Sequence, residues 1–154
     1  MATYYLDASA LVKRYLEESG SRWLRELLDQ SDRHSFAGTE LIAVEVVCAL
    51  TRAERDHRVS RSRRDKLTNL FLAEVEALLE AVPVSDSILQ RANQLALRYP
   101  LRAYDAMHLA TALTLAERMY GLNLPIPGFV SADANLLTAA RAEGLVAENP
   151  NDHE

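Results

Sequence analysis

Two stretches decide how this sequence is read: Tyr4-Tyr5-Leu6-Asp7-Ala8-Ser9-Ala10-Leu11 and Phe129-Val130-Ser131-Ala132-Asp133-Ala134-Asn135-Leu136. Each runs from a β-prone apolar segment through an acid into a segment with helical apolar spacing. A strand that enters a helix at an Asp is one half of a βα unit, and two such units at opposite ends of the chain point to an α/β fold. In an open parallel sheet the functional crevice lies beyond the carboxyl ends of the strands, where both acids fall. Asp is also a favoured helix N-cap, so either residue taken alone is equally read as a cap.

Working outward from these units, strands are predicted over 3–6, 34–37, 81–84, 129–131 and 145–147. Helices are predicted over 8–18, around Trp23, Leu24, Leu27 and Leu28, and over 39–56, 60–80, 85–99, 103–120 and 133–143. Thr39 serves as N-cap of the third helix, with Glu40 as a first-turn charge; Pro100 stops one helix, and Gly121 and Gly144 close two others. Short strands alternating with more extensive helices give a short, mainly parallel central sheet flanked by helices. Residues 1–148 read as one domain and 149–154 as a polar C-terminal tail that frays. No internal repeat or linker interrupts the pattern.

Composition narrows the function. The 154 residues are 49% hydrophobic and 25% charged, the globular norm, with a net charge of −5. That balance argues against broad coating of duplex DNA, which rests on Lys and Arg neutralising phosphates. One cysteine, Cys48, excludes an internal disulfide framework and a Cys-rich zinc site, and is read as a small buried apolar side chain. No apolar run approaches the roughly 20 residues that span a bilayer, so a soluble cytoplasmic protein is expected.

Four acids stand out from the solvated majority. Besides Asp7 and Asp133, Glu45 lies inside Leu41-Ile-Ala-Val-Glu45-Val-Val-Cys-Ala-Leu50, where every other side chain is apolar. Its carboxylate borders the core whichever helix face packs, and an unpaired buried carboxylate costs several kcal/mol or shifts its pKa upward. A bound cation compensates, or an ion pair with Arg52 two turns on. Glu40 sits about 140° around the same helix and is left out of the site. Asp105 opens an apolar helix, Leu101-Arg-Ala-Tyr-Asp105-Ala-Met-His108-Leu-Ala-Thr-Ala, either as a first-turn acid or as a fourth site carboxylate. His108 is read as a packed or hydrogen-bonded histidine, because no second histidine stands at ligand spacing. Carboxylates without histidine or cysteine partners select hard cations, Mg²⁺ or Mn²⁺, which serve phosphoryl chemistry by neutralising phosphate and lowering the pKa of water. Ser9 and Ser131 offer outer hydroxyls to such a site or are ordinary turn and cap residues.

The succession Tyr5-Leu-Asp7-Ala-Ser9-Ala-Leu-Val-Lys, Glu45-Val-Val-Cys-Ala-Leu-Thr-Arg52, Tyr104-Asp105-Ala-Met-His-Leu-Ala-Thr-Ala and Val130-Ser-Ala-Asp133-Ala-Asn-Leu-Leu resembles the PIN-domain ribonucleases. It is most similar to the VapC toxins of toxin–antitoxin pairs, from Tyr4 to Gly144. The resemblance implies a PIN-like fold and a Mg²⁺- or Mn²⁺-dependent endoribonuclease cutting RNA. It implies a homodimer, and a cognate antitoxin that binds the toxin and occupies the substrate groove. It carries Asp7, Glu45, Asp105 and Asp133 over as catalytic, metal-holding acids, supported by Ser9 and Ser131. The loop from Gly121 to Gly128 reads as an insertion ahead of the last motif.

Basic residues cluster between Arg52 and Lys66, with a local net of +4, so the rest of the chain carries −9. Arg52, Arg55 and Arg58 are candidates for gripping RNA phosphates, with a solvated helix junction as the other reading. Arg102 is a further candidate, for phosphate or as a charge partner of the acids. The rivals are a non-catalytic RNA- or protein-binding module on the same fold and a Mg²⁺-dependent phosphatase or phosphotransfer domain. The phosphatase pattern would place a second Asp where this chain has Ser9, and a receiver domain would need a late lysine, whereas the only lysines are Lys13 and Lys66.

Overall fold

The computed structural model describes residues 1–153. Five parallel strands, β1 (Ala2–Leu6), β2 (His34–Thr39), β3 (Glu80–Val82), β4 (Gly128–Val130) and β5 (Ala147–Glu148), form one sheet in the order β3-β2-β1-β4-β5. Seven helices flank it: α1 (Ala8–Leu11), α2 (Ser21–Leu28), α3 (Ile42–Arg55), α4 (Arg61–Leu78), α5 (Asp86–Arg98), α6 (Ala103–Gly121) and α7 (Ala134–Ala142). The register pairs Tyr5 with Ala37 on one side and with Phe129 on the other.

Because side chains alternate along a strand, successive residues enter different layers. Leu6, Phe36 and Val130 pack with α1 to α4, around Leu24, Val46, Leu50 and Phe71. Tyr5, Ala37, Val82 and Phe129 pack with α5, α6 and α7, around Leu95, Leu109 and Leu136. Both faces are covered, which is why the strands read as continuous apolar runs. Each fully buried Leu or Phe contributes about 1.5–3 kcal/mol, so the two apolar layers are what clamp the sheet in place.

The strand order has a functional consequence. The chain steps from β1 outward to β2 and β3, then returns to the other side of β1 for β4 and β5. The order reverses between β1 and β4, and a crevice opens at the carboxyl ends of such a strand pair. Asp7 follows β1 directly, and Asp133 follows β4 by way of Ser131 and Ala132.

Several sequence expectations are corrected. The helix predicted over 8–18 ends at Leu11 and continues only as a 3-10 turn, Val12–Arg14. Lys13 is buried there and donates to the Ser19 carbonyl and to Glu18, while the Ser21 hydroxyl donates to the Leu16 carbonyl. These side-chain bonds satisfy the loop in place of further helical turns. Thr39 is the last residue of β2 rather than a helix cap; α3 starts at Ile42, and Glu40 accepts from the Val84 N–H. The tail expected to fray forms a 3-10 turn, Pro150–Asp152, with Pro150 buried and His153 stacked on Trp23. Gly20, at φ +77°, makes this docking possible: a Cβ there would lie 2.2 Å from the Pro150 carbonyl oxygen. Cys48 is exposed, because α3 turns it away from the Val46 and Leu50 face. No helix among the described residues is long and apolar enough to cross a membrane.

Candidate active site

The carboxyl edge of the sheet opens into a cavity of about 690 Å³ whose lining includes Asp7, Glu45, Asp105 and Asp133. Four elements bring the acids together. Asp7 caps α1 with extended backbone and accepts from the Ala10 N–H at 2.9 Å; Asp133 caps α7 and accepts from the Leu136 N–H at 2.8 Å. Glu45 comes from the first turn of α3, in one helical layer, and Asp105 from the first turn of α6, in the other. For Asp7 and Asp133 the cap and a place in the cavity lining are therefore not alternatives: Oδ1 caps in each, while Oδ2 meets Ser9 and Ser131 in Asp7 and Arg102 in Asp133.

Asp7 is 3% exposed. Its Oδ2 accepts from the Ser131 hydroxyl at 2.7 Å, and the Ser9 hydroxyl lies 2.8 Å from both carboxylate oxygens. Ser131 in turn accepts the Asp133 N–H at 3.0 Å, and Ser9 accepts the Ala132 N–H at 2.9 Å. The two serines thus tie the β1 and β4 junctions together across the switch point. Burial pushes the Asp7 carboxyl above its ordinary range, against the pull of His108, Ser131, the Ala10 N–H and Ser9. The ionised form is under-compensated by the chain itself, and a nearby cation would offset the deficit.

Arg102 already supplies part of that charge. Its Nε lies 3.2 Å from Asp105 Oδ2 and a terminal nitrogen 3.3 Å from Asp133 Oδ2. The guanidinium bridges two of the four acids from the solvent side, which makes Arg102 their charge partner. His108, by contrast, is buried, as the sequence predicts for a packed histidine. Its Nε2 lies 2.7 Å from Glu45 Oε1 and its Nδ1 3.0 Å from the Tyr5 hydroxyl. Burial works to lower the imidazole pKa, but the Glu45 hydrogen bond and the charges of Glu45, Asp7 and Asp105 outweigh it and hold the group above its usual value. The partner of Glu45 is therefore His108, not Arg52.

The donors that line the cavity are carboxylates, the chemistry that hard cations take. Four carboxylates face the cavity, the Ser9 and Ser131 hydroxyls hold Asp7, and His108 Nε2 is engaged with Glu45. Among the described residues no three His, Cys, Asp or Glu side chains stand close enough together to hold a metal ion as they are placed. The acids line a cavity open to a ligand.

Besides the acids, the cavity is walled by Val12, Leu16, Val44, Ala49 and Ala53, and its lining also includes Lys13, Glu18 and Arg58. Arg52, Arg58 and Arg102 line it, whereas Arg55 is exposed and lies outside the lining. Arg58 pairs with Glu18 at 2.7 Å, and Arg64 with Glu54 and Asp65, so part of the basic stretch is neutralised locally. Sequence reasoning missed Lys13 and Glu18; their spacing of five residues resembles ordinary helix charge, and the early end of α1 is what turns them inward. Tyr104, half-exposed beside Asp105, also lines the cavity.

A parallel sheet that sets Asp7 and Asp133 beyond two adjacent strands, with Glu45 and Asp105 supplied to the same cavity by α3 and α6, defines a class of fold and site. The PIN domain pattern matches residues 4–142, and the chain belongs to the PIN-domain family. Within that family it stands with the VapC proteins. It is 33% identical over 153 residues to Ribonuclease VapC49 of Mycobacterium tuberculosis (strain ATCC 25618 / H37Rv), covering 94% of this chain and 93% of the relative. It is 35% identical over 115 residues to Ribonuclease VapC46 of the same strain, covering 75% and 78%. The fold is shared with FitAcB from Neisseria gonorrhoeae, at a TM-score of 0.63 and 14% identity, over 98% of this chain and 99% of that one. It is shared also with VapBC2 from Rickettsia felis bound to a DNA fragment from its promoter, at a TM-score of 0.61 and 15% identity, over 96% and 98%.

Proposed function

We propose that this protein is a Mg²⁺- or Mn²⁺-dependent endoribonuclease, the toxin of a toxin–antitoxin pair. The observation that carries the reading is the convergence of Asp7, Glu45, Asp105 and Asp133 on one cavity at the β1/β4 switch point, with Asp7 buried and short of compensating charge. These four carboxylates would hold the ion. When bound, it supplies positive charge to the scissile phosphate and makes water nucleophilic at neutral pH.

The remaining work falls to the chain. Ser9 and Ser131 orient the Asp7 carboxylate and leave it little rotational freedom. Arg102, at the rim, is placed to exchange its carboxylate partners for an RNA phosphate, and Arg52 and Arg58 extend that grip along the cavity. The apolar wall from Val12 to Ala53 offers a surface to the side chains of an antitoxin. Tyr104 presents an aromatic face for an unstacked base. The enzyme works as a homodimer in the cytoplasm, in heteromeric complex with its antitoxin when silent.

Purified protein should cut structured RNA with Mn²⁺ and stop cutting in excess EDTA, and Asp105→Asn should abolish cutting while keeping the native melting curve. Full cleavage in EDTA or in folded Asp105→Asn would overturn the proposal and favour the non-catalytic binding module. Expression that arrests growth, relieved by co-expression of an adjacent small reading frame, would establish the toxin role.

A further inference from the structure

We infer that His108 is a positioning residue: donating from Nε2, it holds the Glu45 carboxylate at the cavity and is itself held by the Tyr5 hydroxyl. The inference rests on the metal-dependent reading above and names a working part of the same site.

The geometry spans the whole thickness of the fold. Glu45 lies on α3, which packs on α4 and α1 in one helical layer; His108 lies on α6, which packs on α5, α7 and β2. Tyr5 belongs to β1, the central strand between them. The chain Tyr5 Oη to His108 Nδ1 at 3.0 Å and His108 Nε2 to Glu45 Oε1 at 2.7 Å therefore joins both layers and the sheet at the carboxyl edge. Tyr5 and His108 are both buried, at 0% and 1% exposure, while Glu45 reaches the cavity. The anchor is buried, and only its last member meets solvent.

The direction of the hydrogen bonds follows from the groups. A carboxylate only accepts, so Nε2 must carry the proton shared with Glu45. A phenolic hydroxyl both donates and accepts, so Tyr5 Oη pairs with Nδ1 whether or not that nitrogen carries a proton. A glutamate loses side-chain rotamer freedom when it is fixed. Without an anchor, Glu45 would meet that cost at the moment of ligand binding. Among the described residues Glu45 has no other side-chain hydrogen bond or ion pair, so this one bond sets where its carboxylate points.

The test exploits the different reach of two amides. In Gln the amide nitrogen branches from the third side-chain carbon, near the place of Nε2; in Asn it branches one carbon earlier, near Nδ1. We expect His108→Asn to keep the contact with Tyr5 but lose Glu45, lowering Mn²⁺ affinity, read by calorimetry on the metal-free full chain, by roughly 10–100-fold. His108→Gln restores a donor to Glu45 and recovers most of that loss. Adding His108→Asn to Glu45→Gln should cost nothing beyond Glu45→Gln alone, because the two residues act as one unit. Folded His108→Asn with native Mn²⁺ affinity, or His108→Gln losing as much as His108→Asn, overturns the inference. Nitrogen-15 imidazole spectra of the unsubstituted protein decide it independently of any folding defect. A proton on Nε2 whose resonance moves in Glu45→Gln supports the relay, and an unprotonated Nε2 overturns it. A native chain that binds no Mn²⁺ defeats the endoribonuclease reading instead, and the imidazole spectra still decide whether His108 holds Glu45.

Discussion

The junctions after β1 and β4 are built from nearly the same local sequence, yet they are physically different sites. Each places an Asp at a helix N-cap beyond a parallel strand, with one carboxylate oxygen on a backbone N–H at 2.8–2.9 Å. Asp7, however, is sealed under Ser9 and Ser131 and is 3% exposed, whereas the Asp133 side chain is 24% exposed and meets Arg102 from the solvent side. The difference comes from position in the sheet. β1 is the central strand, covered by both layers, and β4 lies one place nearer the edge. Identical capping chemistry thus yields one carboxylate strained by burial and one relaxed at the rim.

The largest expected effect comes from Asp7→Asn. RNA cleavage and Mn²⁺ binding should fall by more than the ~10–100-fold associated with outer partners of a metal site. The same change should stabilise the metal-free protein. The folded pKa of Asp7 lies above its ordinary 3.8, so its favourable contribution is present below that pH and is lost as pH rises through the folded value. Removing the charge recovers stability at neutral pH, at about 2–4 °C in Tm for each kcal/mol. A lower Tm for metal-free Asp7→Asn at pH 7 would break the contrast between the two junctions. His108 shifts in the same direction, so the metal-free protein should also lose stability as pH rises beyond 6.5. Thermal melts across that range read the slope, and a rise in Tm would contradict the assignment.

Ser131→Ala attacks the link between the junctions. It deprives Asp7 of a donor and the Asp133 N–H of an acceptor, which should lower Mn²⁺ affinity roughly 10–100-fold and cost about 1–3 kcal/mol in chemical denaturation. Asp133→Asn should be milder. Asn caps about as well as Asp, so melting should stay near native while Mn²⁺ affinity drops by about tenfold or less. A collapse in stability would show that the β4 junction is as constrained as the β1 junction. Arg102→Ala is the smallest. Exposed ion pairs are worth about 0.2–1 kcal/mol, so freeing Asp105 and Asp133 should raise Mn²⁺ affinity by no more than about fivefold. A loss of affinity would mean that the guanidinium organises the acids rather than competing for them.

Much of the architecture was legible because its signals are local. Apolar spacing gave the order of the helices and strands, though it missed the end of α1, the start of α3 and the bounds of β5; Ser60, Ser85 and Asp133 sit at the predicted starts as side-chain caps, and Pro100 and Gly121 mark the predicted ends. The four acids stood out for a related reason: Asp7 and Asp133 fall at strand-to-helix junctions, Asp105 opens an apolar helix, and Glu45 is chemically out of place among apolar neighbours. What failed was non-local. The partner of Glu45 is 63 residues away, not seven. α1 stops early because Lys13 and Ser21 satisfy the following loop, and the tail is ordered because Trp23 and Gly20 receive it. Arg55 and Arg58 share a spacing pattern, yet only Arg58 reaches the cavity.

The sequence by itself determined an α/β chain with acids at the strand ends, because periodicity and capping act over a few residues. Only the tertiary structure decided which acid is buried, which imidazole steers which carboxylate, and which arginines face the groove. Those properties depend on desolvation and on contacts between distant segments, and both arise only when the two helical layers close on the sheet.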